Sequence, residues 1–318
     1  MRYPTRRAVC SATVLATLTL ASSGLAQYRE YYARGRVLDE QKKPLPDVEI
    51  TVLDASTSRG FHMKTDQKGE FKFAGLPHAT YEVTFAREGY VTAKDTWKFD
   101  AIQERMQKVD VPDVVLVSRA QAQHAEQLKE ADAGVTKASE KIRAGDFDGA
   151  ASLLETVLAK NPTDANALFY LGLARVGKQR YREAAESLAR VTELQPAFSG
   201  AWLELGICQG KLGEAEKALA AYDRTLQLDP TSTAALYNSG LLLFDANRVE
   251  EALARFERGI ALKPTDPDLL DMAARCYVHE GKLDRAADDL EKARAATTDP
   301  ARIQQLDGLL AQVKAQMK

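Results

Sequence analysis

The side chains able to do chemistry are few and scattered. His62, His78, His124 and His279 are the four histidines, and none has an acid-plus-nucleophile pair near it in sequence. Cys10, Cys208 and Cys276 show neither a disulfide framework nor the spacing of a metal site. No G-x-S-x-G, H-E-x-x-H or phosphate-binding loop occurs. The 45 acidic residues are interleaved with 43 Lys and Arg, the pattern of solvated helix faces. The expectation is a chain without catalysis, metal or cofactor, which acts by binding.

What must position a binding surface is visible in the prolines. Pro162, Pro196, Pro230 and Pro264 recur at one constant interval of about 34 residues, each closing a block rich in Ala, Leu and Gly. A fixed period of this length is the mark of a stacked array. Each block is a helix pair unable to bury its apolar face alone, so neighbours must stack into a solenoid. At 318 residues the chain has room for two or three domains, and 45% hydrophobic with 28% charged residues is a globular composition. A formal net charge of -2 provides no basic field for nucleic acid.

Residues 1–26 read as a leader. Arg2, Arg6 and Arg7 precede the short apolar stretch Ala8 to Leu20, and Gly24-Leu25-Ala26 offers small residues for a cut before Gln27. Ser11, Thr13, Thr17 and Thr19 interrupt the stretch, which is too short to span a bilayer, so no membrane span is expected once the leader is removed. Cys10 lies at the start of that stretch rather than after it, against lipid anchoring. Removal would take the net charge from -2 to -5. The expected location is extracytoplasmic, periplasmic or secreted. Cys208 and Cys276 then remain, at the same position of two non-adjacent repeats and so beyond the ~7 Å a disulfide tolerates between Cα atoms. Two buried thiols are expected.

Within a domain placed at 27–117, residues 33–117 read as short strands. Val48, Ile50 and Val52 alternate with polar residues, as do Phe71 and Phe73, and Tyr81, Val83 and Phe85. Lys43-Pro44-Leu45-Pro46-Asp47, Asp66 to Gly69, Leu76-Pro77 and Glu88-Gly89 supply turns. Seven strands in an antiparallel β-sandwich are expected. Gly35, Val37, Asp39, Pro44-Leu45, Thr65-Asp66, Gly69, Phe71, Phe73, Leu76-Pro77, Tyr81 and Gly89-Tyr90 occur in the order of the carboxypeptidase regulatory-like domain, a transthyretin-like sandwich that this stretch resembles. The resemblance implies an accessory module without catalytic residues, and some related sandwiches bind carbohydrate. Tyr28, Tyr31, Tyr32 and Trp97 are the candidate stacking surfaces for a sugar; the alternatives are a loose terminus for the tyrosines and a sheet-edge cover for Trp97.

From Ser118 helix formers take over. Gln121 to Lys141 contains no proline and reads as one long helix, with 118–130 as linker. Five helix pairs come next over 131–299, and 300–318 reads as an amphipathic capping helix through Ile303, Leu306, Leu309, Leu310 and Val313. The recurring residues are small at Ala138, Gly172, Gly206, Gly240 and Ala274, alanine at Ala150, Ala184, Ala218, Ala252 and Ala286, and bulky at Leu154, Leu188, Tyr222, Phe256 and Leu290. Helices approach closely only over Gly or Ala, and a bulky residue then fills the groove alongside.

This pattern resembles tetratricopeptide repeats. The resemblance implies a concave wall made by the first helices, here with Phe169, Leu173, Val176, Leu203, Ile207, Tyr237, Asn238, Leu241, Phe244, Arg275 and His279. Family members that clamp a carboxylate need several Lys and Asn there; only Asn238 matches, so an apolar peptide or helix is the expected ligand. The chain's own helix, its sandwich or a second copy are the other expected occupants. The sequence thus predicts a β-sandwich followed by an α-helical solenoid that serves as a protein-binding scaffold, with carbohydrate binding through the sandwich as the alternative.

Overall fold

Successive side chains of an extended strand point to opposite faces, so the alternating runs of the N-terminal region each bury one face. The computed structural model describes residues 30–99 and 106–317. The expected leader, Cys10, the cut before Gln27 and Tyr28 lie outside the described residues. The chain divides into two compact units, Met1–Lys129 and Glu130–Lys318.

The first unit has two sheets. One has the order β4 (Glu70–Leu76), β1 (Glu30–Leu38), β7 (Met106–Asp110), with β8 (Val114–Val115) also paired to β1. The other has the order β3 (Gly60–Lys64), β2 (Glu49–Asp54), β5 (Thr80–Ala86), β6 (Ala93–Lys98). Ile50, Val52, Phe71, Phe73, Tyr81, Val83 and Phe85 point inward and form one core with Val37, Leu76 and Leu116. Buried polar groups there are bonded: the Thr65 hydroxyl donates to Leu45 O at 2.7 Å and accepts from Val48 N at 3.0 Å. Gly69 closes the β4 turn at φ 67°, where a Cβ would lie 2.5 Å from Val37 O. Only glycine fits both the dihedral and the space.

Two details differ from the sequence reading. Eight strands occur among the described residues rather than seven; β6 alternates in burial but carries only two apolar residues, Ala93 and Trp97, so hydropathy does not mark it. The sandwich is mainly antiparallel, yet β1 runs parallel to β7 and β8. These parallel pairings close over a long crossover, the only way a chain can return in the same direction.

Ser118 accepts from Gln121 N at 3.3 Å at the start of α1 (Arg119–Arg143). In the second unit the C-terminal part of α1 packs on α2 (Phe147–Lys160) through Val135, Ala138, Ala150 and Leu154. The later pairs are α3 (Ala165–Gly177) with α4 (Tyr181–Leu194), α5 (Ser199–Lys211) with α6 (Ala215–Leu228), α7 (Thr233–Asp245) with α8 (Val249–Leu262), and α9 (Pro267–His279) with α10 (Leu283–Ala296). Asp164, Ser232 and Asp266 cap the first helices of their pairs, each accepting a backbone N–H of the first turn. α11 (Pro300–Gln316) covers the last pair with Leu306, Leu309, Leu310 and Val313. No helix among the described residues is long and apolar enough to cross a membrane.

The small residue of each first helix sits under the bulky residue of the second. A Cβ added at Gly172 would lie 2.8 Å from Leu188, at Gly206 2.7 Å from Tyr222, and at Gly240 2.6 Å from Phe256. Gly308 continues this series on α11, one period beyond Ala274, and there nothing lies within 4 Å. The two environments predict opposite outcomes of one substitution. Gly240→Ala drives a methyl into the buried Phe256 ring and is expected to destabilise by about 1–3 kcal/mol. Gly308→Ala meets no atom and is expected to stabilise by about 0.5–1 kcal/mol through helix propensity. Urea unfolding of the two variants checks this; equal shifts would contradict the packing described.

Candidate functional site

A helix pair has two jobs for its first helix: one stripe packs on the second helix, another on the first helices of the neighbouring pairs. α3 lies against α5, α5 against α7 and α7 against α9. The expected binding residues lie on these first helices. Phe169, Leu173 and Val176 are on α3, Leu203 and Ile207 on α5, and Tyr237, Asn238, Leu241 and Phe244 on α7; all are half-buried. Arg275 on α9 is half-buried too, and His279 at its end is exposed.

Their partial burial has identifiable causes. Phe169 packs on Phe198 with ring centroids 4.8 Å apart and on Tyr170 at 5.6 Å. Leu203 and Ile207 lean on the cluster of Tyr222, Leu226 and Leu236. Tyr237 meets the Phe256 ring edge at 6.2 Å, and Leu241 and Phe244 join the same C-terminal cluster. Burial pushes the Tyr237 hydroxyl above its ordinary pKa, with Asp268 adding to the effect. Phe169, Leu203, Ile207, Tyr237, Leu241 and Phe244 are therefore spread over four clusters along the array, as a row of partly open apolar contacts.

Sequence reasoning missed two groups in this row. Positions 169, 203 and 237 recur at Asp271, and positions 173, 207 and 241 recur at Arg275. The apolar row thus becomes ionic on α9. Asp271 is 3% exposed. Its Oδ1 accepts from Arg275 Nε at 2.9 Å and its Oδ2 from Arg302 Nη2 of α11 at 3.0 Å, while Arg302 also reaches Asp268 at 2.9 Å. The second group is Glu204 of α5, half-buried, with neither a hydrogen bond nor an ion pair among the described residues. Burial alone raises its carboxyl above the ordinary 4.5. Reading the repeat register for charged residues, rather than for apolar ones, finds both.

Neither cysteine among the described residues is placed for surface chemistry. Cys208 and Cys276 are free and buried, and burial pushes each thiol up to about 12. The sugar-stacking expectation fails for Tyr31 and Trp97. Tyr31 is buried and stacked on Phe99 at 4.6 Å. Trp97 is 7% exposed and lies among Phe71, Phe73, Phe85 and Phe99, inside the core and not over a sheet edge. Neither ring has a free face, which stacking requires; Tyr32 alone of the described candidates is half-open. The sandwich does hold a cavity of about 350 Å³, with Arg34, Arg36 and Lys72 in its wall. Asp110 and Asp113 already pair with Arg34 and Arg36, so the wall is locally neutralised.

The two charged groups have opposite consequences for stability. Asp271→Ala is expected to cost about 2–3 kcal/mol, the loss of charge-assisted hydrogen bonds rather than of a sealed ion pair, because both arginines reach solvent; denaturant unfolding reads it. Glu204 carries the opposite sign. An acid whose folded pKa lies above its unfolded value opposes folding when ionised, so the penalty is absent below the unfolded value, grows as pH rises through the raised folded value and is constant above it. Glu204→Gln is expected to raise the unfolding midpoint at pH 7 and to leave it unchanged near pH 4.

Comparison with known proteins places these two units. Residues 33–112 match the carboxypeptidase regulatory-like domain. Tetratricopeptide repeat profiles match 135–178, 171–233, 209–272 and 243–313, together more than half of the chain. No curated protein matches the chain. Among solved structures, "YrrB: a TPR protein with an unusual peptide-binding site" is 21% identical, with a TM-score of 0.50 over 60% of this chain and 98% of that one. A MamA protein is 24% identical, TM-score 0.50, over 53% and 92%. MamA from Desulfovibrio magneticus RS-1 is 18% identical, TM-score 0.49, over 52% and 94%. For the two at a TM-score of 0.50 the likeness is one of fold.

Proposed function

Because the chain belongs to the tetratricopeptide repeat proteins and carries an N-terminal carboxypeptidase regulatory-like domain, we propose that it is an exported, non-catalytic adaptor whose repeat array binds an apolar peptide or helix. The observation that carries the reading is the row Phe169, Leu203, Ile207, Tyr237, Leu241 and Phe244, half-buried on three successive first helices. A half-open apolar row leaves part of each side chain in water, and covering it with a partner's apolar residues yields about 25 cal/mol for each Å² buried. The large aromatic members supply the anchors on which such interfaces concentrate their energy. YrrB, described as having a peptide-binding site, has the same fold. Export rests on the leader pattern of Arg2, Arg6, Arg7 and Gly24-Leu25-Ala26, and periplasm or secretion is the destination it gives.

Two experiments test the two halves of this reading. Mature protein and a Tyr237→Ser, Phe244→Ser variant, its fold checked by circular dichroism, are used to capture partners from the envelope fraction. A protein retained by the wild type and lost by the variant is the expected result; equal capture would sink the groove. A change in oligomer mass with no captured partner would assign the row to self-association instead. For export, residues 1–26 are fused to a phosphatase that is active only outside the cytoplasm. Activity of the fusion and a mature N-terminus at Gln27 are expected, and an inactive cytoplasmic fusion would overturn the localisation.

A further inference from the structure

A row built to cover apolar surface has one ionisable group in its middle. Glu204 stands one residue from Leu203 and three from Ile207 on α5. Its carboxyl has no hydrogen-bond or ion-pair partner among the described residues, in a chain where other sheltered charges have one: Asp271 has two arginines and Arg255 has Asp223 at 2.7 Å. The titratable groups bearing on this site are the Cys208 thiol, one turn on along α5, and the Tyr222 hydroxyl of α6. Burial holds both neutral. Neither a cation nor a second carboxylate from the described residues acts on Glu204. One period further on, Asn238 of α7 is half-buried and its amide makes no hydrogen bond among the described residues.

An unpaired carboxyl in apolar surroundings costs the free protein stability. Nothing in the packing of α5 requires it: Tyr170 and Met272 occupy the same register in other pairs of the array. A group that lowers stability without serving the fold marks a site of function. The missing partner is a cation, and the apolar neighbours set what flanks it.

We propose that the array selects a peptide segment with a single Lys or Arg set between apolar residues, the cation meeting the Glu204 carboxylate beside the Asn238 amide and the apolar residues covering Leu203, Ile207 and Tyr237. The inference rests on the groove reading and adds the charge of the partner to it. It is the reverse of a carboxylate clamp: the groove contributes the anion. Binding requires the ionised form, so affinity falls as pH drops through the Glu204 pKa, and a bound cation lowers that pKa and expels a proton where the carboxyl was protonated.

The test uses a phage-displayed library of random dodecapeptides, selected in parallel against the full chain, Glu204→Gln, and Tyr237→Ser, Phe244→Ser. Wild type is expected to enrich apolar peptides carrying one Lys or Arg, and Glu204→Gln to keep the apolar residues while the cation returns to library frequency. A synthetic peptide from the wild-type selection is expected to bind Glu204→Gln about 10-fold more weakly, and its Lys→norleucine analogue to bind both proteins equally. A cation no more frequent than in the unselected library, or equal binding of the lysine peptide to both proteins, would overturn the proposal and leave the groove intact. Peptides that bind the Tyr237→Ser, Phe244→Ser variant as well as wild type, or a selection that enriches nothing, would overturn the groove reading and this proposal with it.

Discussion

The close approach of two helices over a residue with no side chain is the constraint on which the array depends. At Gly172, Gly206 and Gly240 the neighbouring Leu188, Tyr222 and Phe256 already stand where a Cβ would be. This contact sets the distance within each pair, and repeating it once per period sets the direction in which pairs stack. Ala138 with Leu154 and Ala274 with Leu290 keep the series at its two ends, all four side chains being buried.

Because that contact fixes the backbone, positions of the first helix beside it are free to vary. The same register is Phe169, Leu203 and Tyr237 in three pairs and Asp271 in the next. Packing tolerates the change because Asp271 brings its own counter-ions, Arg275 from the next turn and Arg302 from α11. The stacking residues were therefore legible in the sequence, since geometry restricts them to few types. Asp271 was not, since a search for apolar recurrence passes over an acid in the same register. Glu204 was hidden for the same reason.

In the sandwich the turns and the alternating strands were legible, since Ile50, Val52, Phe71 and Phe85 bury one face each. Trp97 was misread because aromatic residues are common both on binding surfaces and in cores. Its strand, β6, presents Lys94, Asp95, Thr96 and Lys98 around it, which reads as surface. What decides its place is tertiary: Phe71 stacks on it at 6.0 Å and Phe73, Phe85 and Phe99 meet its edges. The parallel pairing of β1 is equally absent from local pattern.

That pairing gives the two units different histories on the way to the folded state. β1 is the centre of its sheet, with β4 on one side and β7 on the other. Its Arg34 and Arg36 find their ionic partners 76 and 77 residues further along the chain. A helix pair, by contrast, closes within a single repeat, as Gly240 on α7 does over Phe256 on α8. Contacts between distant residues form slowly, and local ones fast. During synthesis β1 emerges before every strand it pairs with; β4 can cover one edge once residue 76 is out, but the other edge waits until β7 and β8 have left the ribosome. The repeats can close one by one as they appear. The strand made first is in this sense completed by strands made much later, and its unpaired edges are the surface a chaperone would meet on the nascent chain.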